Sequence, residues 1–171
     1  HFCIDFAKAS TKPNGLDALF AAIYRGDATL GDTSGVEDDG NEKNADGWTA
    51  LHCAVVYDRP HLIRALRERF PKLDADTSLN LSALPLAAMY GHSNCIIALC
   101  ECFPAIKAGN VLHIACEYNH PGCIPTLRIY FPQLTGNEST NNYPHSFALL
   151  CAALHNNPEC IRALHSCFPD I

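Results

Sequence analysis

The chain has 171 residues, 48% of them hydrophobic, and carries a formal net charge of −6 at pH 7, enough to fill one compact domain or a short repeat array. The acidic balance excludes nucleic acid and anionic membrane surfaces as expected partners, because both need clustered Lys and Arg. Apolar runs such as 84–90 are too short for a bilayer span, so we expect a soluble domain.

The first predicted element lies near the N-terminus. Residues 16–27 carry apolar side chains at helical spacing and predict a helix. Residues 32–46 are rich in Asp, Glu, Gly and Asn, with Val36 the main apolar residue, and predict an acidic surface loop rather than a partner helix. Two interpretations stay open: residues 1–45 form a degenerate first repeat that acts as a cap, or residues 1–30 end a preceding domain. We favour the cap.

From residue 46 onward one block recurs: a small residue, Leu, two variable residues and Ala, then a polar break, Ile/Leu-x-x-Leu and Phe-Pro. Successive motif leucines are separated by 33, 28 and 37 residues (84 − 51, 112 − 84, 149 − 112), yet each leucine precedes its Phe-Pro by the same interval. A constant unit with variable links is typical of stacked helical hairpins. The four copies are Ala50-Leu51-His52-Cys53-Ala54, Ala83-Leu84-Pro85-Leu86-Ala87, Val111-Leu112-His113-Ile114-Ala115 and Ala148-Leu149-Leu150-Cys151-Ala152.

Each copy predicts two short helices. In the first, apolar residues recur at three- and four-residue steps and form one narrow face. Pro60, Pro121 and Pro158 are predicted to open second helices, where a missing N–H costs least. Pro125 is expected to distort the first turns of its helix, and the proline after each terminal Phe stops the second helix. Such a hairpin cannot bury both faces alone, so neighbours must stack.

These blocks resemble the ankyrin repeat family, whose pattern is Gly-x-Thr-Pro-Leu-His-x-Ala-Ala-x-x-Gly-His followed by an apolar second helix. The best match is Asp46 to Ala54, and 87–92 and 112–115 keep further parts of the pattern. Phe-Pro replaces the usual glycine turn after the second helix, and Thr-Pro is mostly lost. The resemblance implies an all-α, ankyrin-type helical-hairpin solenoid with a degenerate N-terminal repeat or cap. The four clear repeats are assigned to 46–78, 79–107, 108–138 and 139–171.

The ten cysteines lie inside helical apolar stretches beside Ala, Ile and Leu. This placement favours free, buried thiols in a reducing compartment, with an oxidised pair as the alternative. The spacing of Cys100 and Cys102 does not match a zinc knuckle, so we expect no metal site. A cytoplasmic location follows, which for a protein delivered by an intracellular bacterium is the host cytosol.

The histidines also have structural explanations. The resemblance implies that His52 and His113, which follow the motif leucine, bond backbone groups and steady the neighbouring loop. His92 and His120 lie in the break between helices, where we expect a capping role. Nucleotide-binding and His-Glu-x-x-His spacings are absent from the sequence, so no cofactor is expected.

A catalytic thiol is the weakest interpretation. Cys3 near His1, or Cys53 near His92, can be imagined as a nucleophile and base, but no third orienting group is evident. We therefore expect that the chain is not an enzyme.

Superposing the units places three tyrosines and a histidine on one line at the ends of the first helices. Core-facing residues already fill the other helix faces, and Tyr is a frequent interface anchor, so we expect a partner-binding surface there. The alternative is that each Tyr packs on the neighbouring first helix. The candidate residues are Val56, Tyr57, Met89, Tyr90, Glu117, Tyr118, Leu154 and His155 on the helices, and Asp46, Trp48, Leu79, Leu81, Asn110, His145 and Phe147 on the adjacent loops.

The sequence thus predicts a protein-interaction module that binds a protein or peptide on its concave face, as a monomeric domain of a longer chain. Two alternatives stay open. One is a structural or regulatory arm of a larger enzyme or effector, and the other is a small thiol hydrolase built from the N-terminal segment.

Overall fold

The computed structural model describes residues 15–37, 39–75, 82–134 and 147–170, and the regular structure within these ranges is helical apart from one isolated bridge between Lys43 and Thr49. The all-α prediction is confirmed. No helix in these ranges is long and apolar enough to cross a bilayer. The helices are α1 (Gly15–Arg25), α2 (Ala50–Val56), α3 (Pro60–Arg69), α4 (Ala83–Met89), α5 (Ser93–Cys102), α6 (Val111–Glu117), α7 (Cys123–Tyr130), α8 (Phe147–Leu154) and α9 (Pro158–Cys167).

The helices form two parallel rows of stacked neighbours. The first row is α1, α2, α4, α6 and α8, and the second is α3, α5, α7 and α9, each helix packing on the next in its row. The pairs α2–α3, α4–α5, α6–α7 and α8–α9 are the hairpins. The helix α1 belongs to the first row, and residues 26–37 and 39–49 after it contain no second helix. The division at residue 45 and the individual repeat boundaries stay predictions.

Each first helix carries a fully buried motif alanine. A side chain limited to one methyl group allows close approach, and one continuous apolar cluster fills the space between the two rows. The equivalent alanines, each 0% exposed, are Ala22, Ala54, Ala87, Ala115 and Ala152.

A left-handed residue ends each first helix and turns the chain toward the second. Gly, Asn and Asp tolerate positive φ better than other residues, which explains their recurrence here. The amide after it closes the turn on the motif alanine: Arg59 N–H donates to Ala54 O at 2.8 Å and His92 N–H to Ala87 O at 2.9 Å. The left-handed residues are Gly26, Asp58, Gly91, Asn119 and Asn156.

The Phe-Pro pair replaces the glycine turn with a β-turn at the ends of α3, α5 and α7. Phe70 N–H donates to Leu66 O at 2.8 Å and ends the helix, while Leu73 N–H donates back to Phe70 O at 2.9 Å. Proline at the second position of this turn presets φ and needs no hydrogen bond. The chain therefore turns without glycine, with the ring of Phe70 buried in the core.

An arginine ties this turn to the next hairpin. Arg67 donates to Leu73 O at 3.1 Å, and its guanidinium carbon lies 5.2 Å from the ring centroid of Phe103, at the end of α5. Arg128 repeats the arrangement over Phe168 at 5.2 Å. A cation over a ring face is attracted by the ring quadrupole, so these contacts link successive turns.

The start of α7 differs from the prediction. Pro60 and Pro158 open α3 and α9 as expected, but α7 begins at Cys123, two residues after Pro121. The cause is Pro125, which has no N–H to donate to Pro121 O, so the first regular α-helical bond cannot form. A tighter turn, in which Ile124 N–H donates to Pro121 O at 3.2 Å, takes its place.

Replacing Thr49 tests the best-preserved motif. The Thr49 hydroxyl caps α2 by accepting from His52 N–H at 3.4 Å, and its Oγ1 lies 2.6 Å from Nδ1 of the buried His52 ring. We expect Thr49→Ala to lower the free energy of unfolding by about 1–2 kcal/mol, measured by urea denaturation. Ser82→Ala is the matched control, since Ser82 caps α4 without a side-chain bond. Equal losses for the two variants contradict this account.

Candidate partner-binding site

The residues predicted to bind a partner lie at the ends of the first-row helices. Tyr90 and Tyr118 are 42% and 46% exposed, and Leu154 is 72% exposed. Their neighbours on the same turns are partly buried, except His155, which is exposed. We call this set the first-helix stripe: Val56, Tyr57, Met89, Tyr90, Glu117, Tyr118, Leu154 and His155.

The structure adds Tyr24 to the stripe, a residue that sequence reasoning missed. Tyr24 is 51% exposed and lies edge-on to Tyr57, with ring centroids 5.5 Å apart. By the turn hydrogen bonds it is equivalent to Val56. The signal was present, because Ala18 to Ala22 matches the Ala-Leu-x-x-Ala motif. Tyr57 thus packs on a neighbouring helix, as the alternative interpretation expected, whereas Tyr90 and Tyr118 keep more than two fifths of their surface open.

After Gly91, Asn119 and Asn156, the next side chain connects its hairpin to the preceding one. His92 Nε2 lies 3.3 Å from Val56 O, and His120 Nε2 lies 2.9 Å from Met89 O. Asn157 is buried and makes the same kind of bond to the preceding hairpin. The expected capping role of these two histidines is wrong: His92 is the N-cap residue of α5 but makes no side-chain capping bond, and the N-cap residue of α7 is Gly122. We call these bonds between hairpins the carbonyl latch; they satisfy carbonyls at helix ends and hold the stripe in register.

The first predicted loop forms a tight turn. Asn44 N–H donates to Trp48 O at 2.9 Å, and the Asn44 side chain accepts from Trp48 N–H at 2.9 Å. Asp46 is exposed at its tip. Trp48 is partly buried, with its ring edge-on to His52 at 5.9 Å, so the indole also supports the motif histidine.

The structure describes two of the other predicted loop residues, Asn110 and Phe147. Asn110 is exposed at the start of α6, and its side chain makes no capping bond. Phe147 is partly buried and packs edge-on against His113 of the preceding hairpin, 4.7 Å between centroids, where burial lowers the pKa of His113. Leu79, Leu81 and His145 lie outside the described residues.

The described cysteines are free thiols. Burial raises the pKa of Cys53 and of Cys95 to about 12, and that of the half-buried Cys100 to about 11. His92, considered above as the base for a Cys53 nucleophile, instead has its Nε2 3.3 Å from Val56 O. No group of three His, Cys, Asp or Glu side chains able to hold a metal occurs within the described ranges. Cys3 lies outside them.

Thiol reactivity follows from these pKa values. Alkylation requires the thiolate, so at pH 7.5 we expect Cys53, Cys95 and Cys100 to react far more slowly in the folded chain than in 8 M urea. Mass spectrometry after timed iodoacetamide labelling measures each site. Fast labelling of Cys53 in the folded chain, at the rate of the unfolded chain, contradicts the assignment of this thiol to the core.

Part of the chain is similar to a known repeat family. The ankyrin repeat family matches residues 46–75, the segment that holds the Thr49–His52 pair and the first complete hairpin. A protein of Arabidopsis thaliana named "Putative E3 ubiquitin-protein ligase XBAT31" is 30% identical over 88 residues, which are 48% of this chain and 19% of that protein's length. The chain thus contains ankyrin repeats, as its motifs predicted. Repeats of this family are generally protein-interaction modules and are typically non-catalytic.

Proposed function

We propose that the chain binds a protein or peptide along the first-helix stripe, extended at its N-terminal end by Tyr24. The supporting observation is a line of exposed aromatic and apolar side chains, Tyr24, Tyr90, Tyr118 and Leu154, each two or three residues after a motif alanine that is 0% exposed. The helices that carry the line are packed by the core, and the carbonyl latch connects the hairpins of α2, α4, α6 and α8, so little conformational entropy is lost when a partner binds.

Tyrosine suits this role because it buries a large rigid surface and offers a hydroxyl to a polar partner group. In this proposal the face is the concave side of the solenoid, and the loops before the first helices form its second edge. Asp46, Trp48 and Asn110 contribute there, together with the predicted Leu79, Leu81 and His145. Catalysis plays no part, and the free thiols favour a reducing, cytoplasmic setting.

The test is the affinity of binders selected from a peptide display library on the immobilised chain. Tyr90→Ala and Tyr118→Ala are each expected to weaken binding by about tenfold or more, the scale of interface anchors. Ile129→Ala is the matched control, because Ile129 is 74% exposed on the second row, in α7. Its affinity should stay within about twofold of the parent chain, as for side chains outside an interface. Loss of binding by Ile129→Ala alone contradicts the proposal.

A further inference from the structure

Three tyrosines occupy the same position at the ends of α2, α4 and α6. Tyr57, Tyr90 and Tyr118 are the C-cap residues of these helices, with φ of −86°, −93° and −89° and ψ of 10°, −2° and 9°. Nearly equal backbone torsions direct the three Cα–Cβ bonds alike relative to their helices, and these helices pack side by side. The three residues therefore form a ladder with one ring per hairpin, which we call the tyrosine ladder.

The repeat distance of the tyrosine ladder matches one peptide conformation best. The axes of packed helices are about 8–10 Å apart, so successive rings are separated by about that distance. A polyproline II segment repeats every three residues, about 9.3 Å along its axis. Side chains on one face of a β-strand recur about every 6.7 Å, and those of an α-helix come close to the ladder only with every seventh residue, at about 10.5 Å.

The exposed rings also match the chemistry of a polyproline II segment. Tyr90 and Tyr118 are 42% and 46% exposed, so proline rings can pack on their faces. Polyproline II has no internal hydrogen bonds and leaves its carbonyls free to accept from tyrosine hydroxyls, whereas an α-helix has already used its carbonyls. The Tyr90 ring stacks on His92, with 5.9 Å between centroids, and His92 belongs to the carbonyl latch, so this ring is held in place.

Glu117 adds a negative charge beside Tyr118 and supplies the carboxylate of the first-helix stripe. None of the ion pairs within the described ranges includes Glu117. The carboxylate acts on His113, but burial lowers the pKa of His113, so this imidazole is neutral at pH 7 and does not balance the charge. A Lys or Arg of a partner is therefore favoured next to Tyr118.

We infer that the partner segment is a proline-rich peptide in the polyproline II conformation, with prolines at every third position along Tyr118, Tyr90 and Tyr57 and a basic residue at Glu117. Such a segment is already extended before it binds, so little entropy is lost, and aromatic-lined grooves suit it. The inference rests on the proposed function and specifies the chemistry of its partner.

The probe is the fluorescein-labelled peptide Arg-Pro-Pro-Ala-Pro-Pro-Ala-Pro-Pro-Ala, titrated with the chain and followed by fluorescence anisotropy. We expect it to bind at least about tenfold more tightly than the same peptide with every proline replaced by alanine, because the alanine peptide must be ordered on binding. Tyr118→Ala should weaken binding by about tenfold, and Tyr118→Phe, which keeps the ring, by about threefold. Equal affinities for the proline and alanine peptides overturn the inference.

Glu117→Gln is the matched charge variant. It should weaken binding of the arginine peptide by about threefold and leave binding of a peptide with alanine in place of arginine unchanged, the scale of an exposed ion pair. An equal effect on both peptides overturns the assignment of the basic residue.

The binders selected from the display library separate this inference from the proposed function. Selected peptides that contain prolines three residues apart support the inference. Peptides that lack proline but lose affinity for the Tyr90→Ala and Tyr118→Ala variants overturn it and leave the proposed function standing. A proline peptide whose affinity is unchanged by both tyrosine variants contradicts the proposed function as well.

Discussion

Phe70→Ala is expected to lower the free energy of unfolding by about 3–5 kcal/mol, the largest single effect in this account. The ring of Phe70 is 1% exposed, and the backbone of the acidic loop lies directly on it: a Cβ at Gly40 would approach the Phe70 Cγ to 2.7 Å. Removing the ring leaves a cavity below the loop and under the Phe-Pro turn. The measurement is urea denaturation, followed by circular dichroism.

Phe70→Leu is the control for volume. It keeps an apolar side chain at the position and should cost about 1 kcal/mol, because the site retains most of its packing. If Phe70→Ala is no more costly than Phe70→Leu, the loop does not rest on this ring. In that case the first Phe-Pro turn is not the anchor of residues 39–41.

Gly91→Ala is expected to lower the free energy of unfolding by about 2–4 kcal/mol, because it combines backbone strain with a steric clash. Gly91 has φ +74°, and a Cβ there would lie 2.4 Å from Nδ1 of His120. The imidazole must then move, which breaks its 2.9 Å contact with Met89 O. The variant should therefore loosen the carbonyl latch between the second and third complete hairpins.

Gly47→Ala separates the two causes. Gly47 has φ +80°, almost the same backbone conformation, but no atom lies within 4 Å of a Cβ built there. We expect Gly47→Ala to lower the free energy of unfolding by about 1–2 kcal/mol, from backbone strain alone. Thermal and urea unfolding of the two variants measure the difference. Equal losses contradict a role for His120 in holding the hairpins together.

Local signals made the helical hairpins predictable. The motif leucine and alanine predicted the first helices. Phe-Pro predicted the ends of the second helices, because proline restricts its own backbone conformation and that of the preceding residue. The prediction that Pro121 opens α7 was wrong, whereas the expected distortion by Pro125 is the reason for the later start, because Pro125 has no N–H to donate to Pro121 O. Both prolines are evident in the sequence, and the start of α7 depends on the two together.

Contacts between hairpins were harder to foresee. The carbonyl latch depends on how far one hairpin is displaced from the next, and periodicity within a single hairpin does not contain that distance. The same holds for the stripe. The positions of its residues followed from superposing the four clear units. The partial burial of Tyr57 depends on Tyr24 in α1, and α1 lies before the acidic loop and was not aligned with those units.

Photo-crosslinking gives the most direct test that a partner lies on the first-helix stripe. A photoreactive benzoylphenylalanine placed at Tyr118 should crosslink a selected peptide ligand, because the side chain is 46% exposed and aromatic already. The same group placed at Ile129, 74% exposed on α7, should give no crosslink to that ligand. Crosslinks at Ile129 with none at Tyr118 would contradict the assignment of the binding surface.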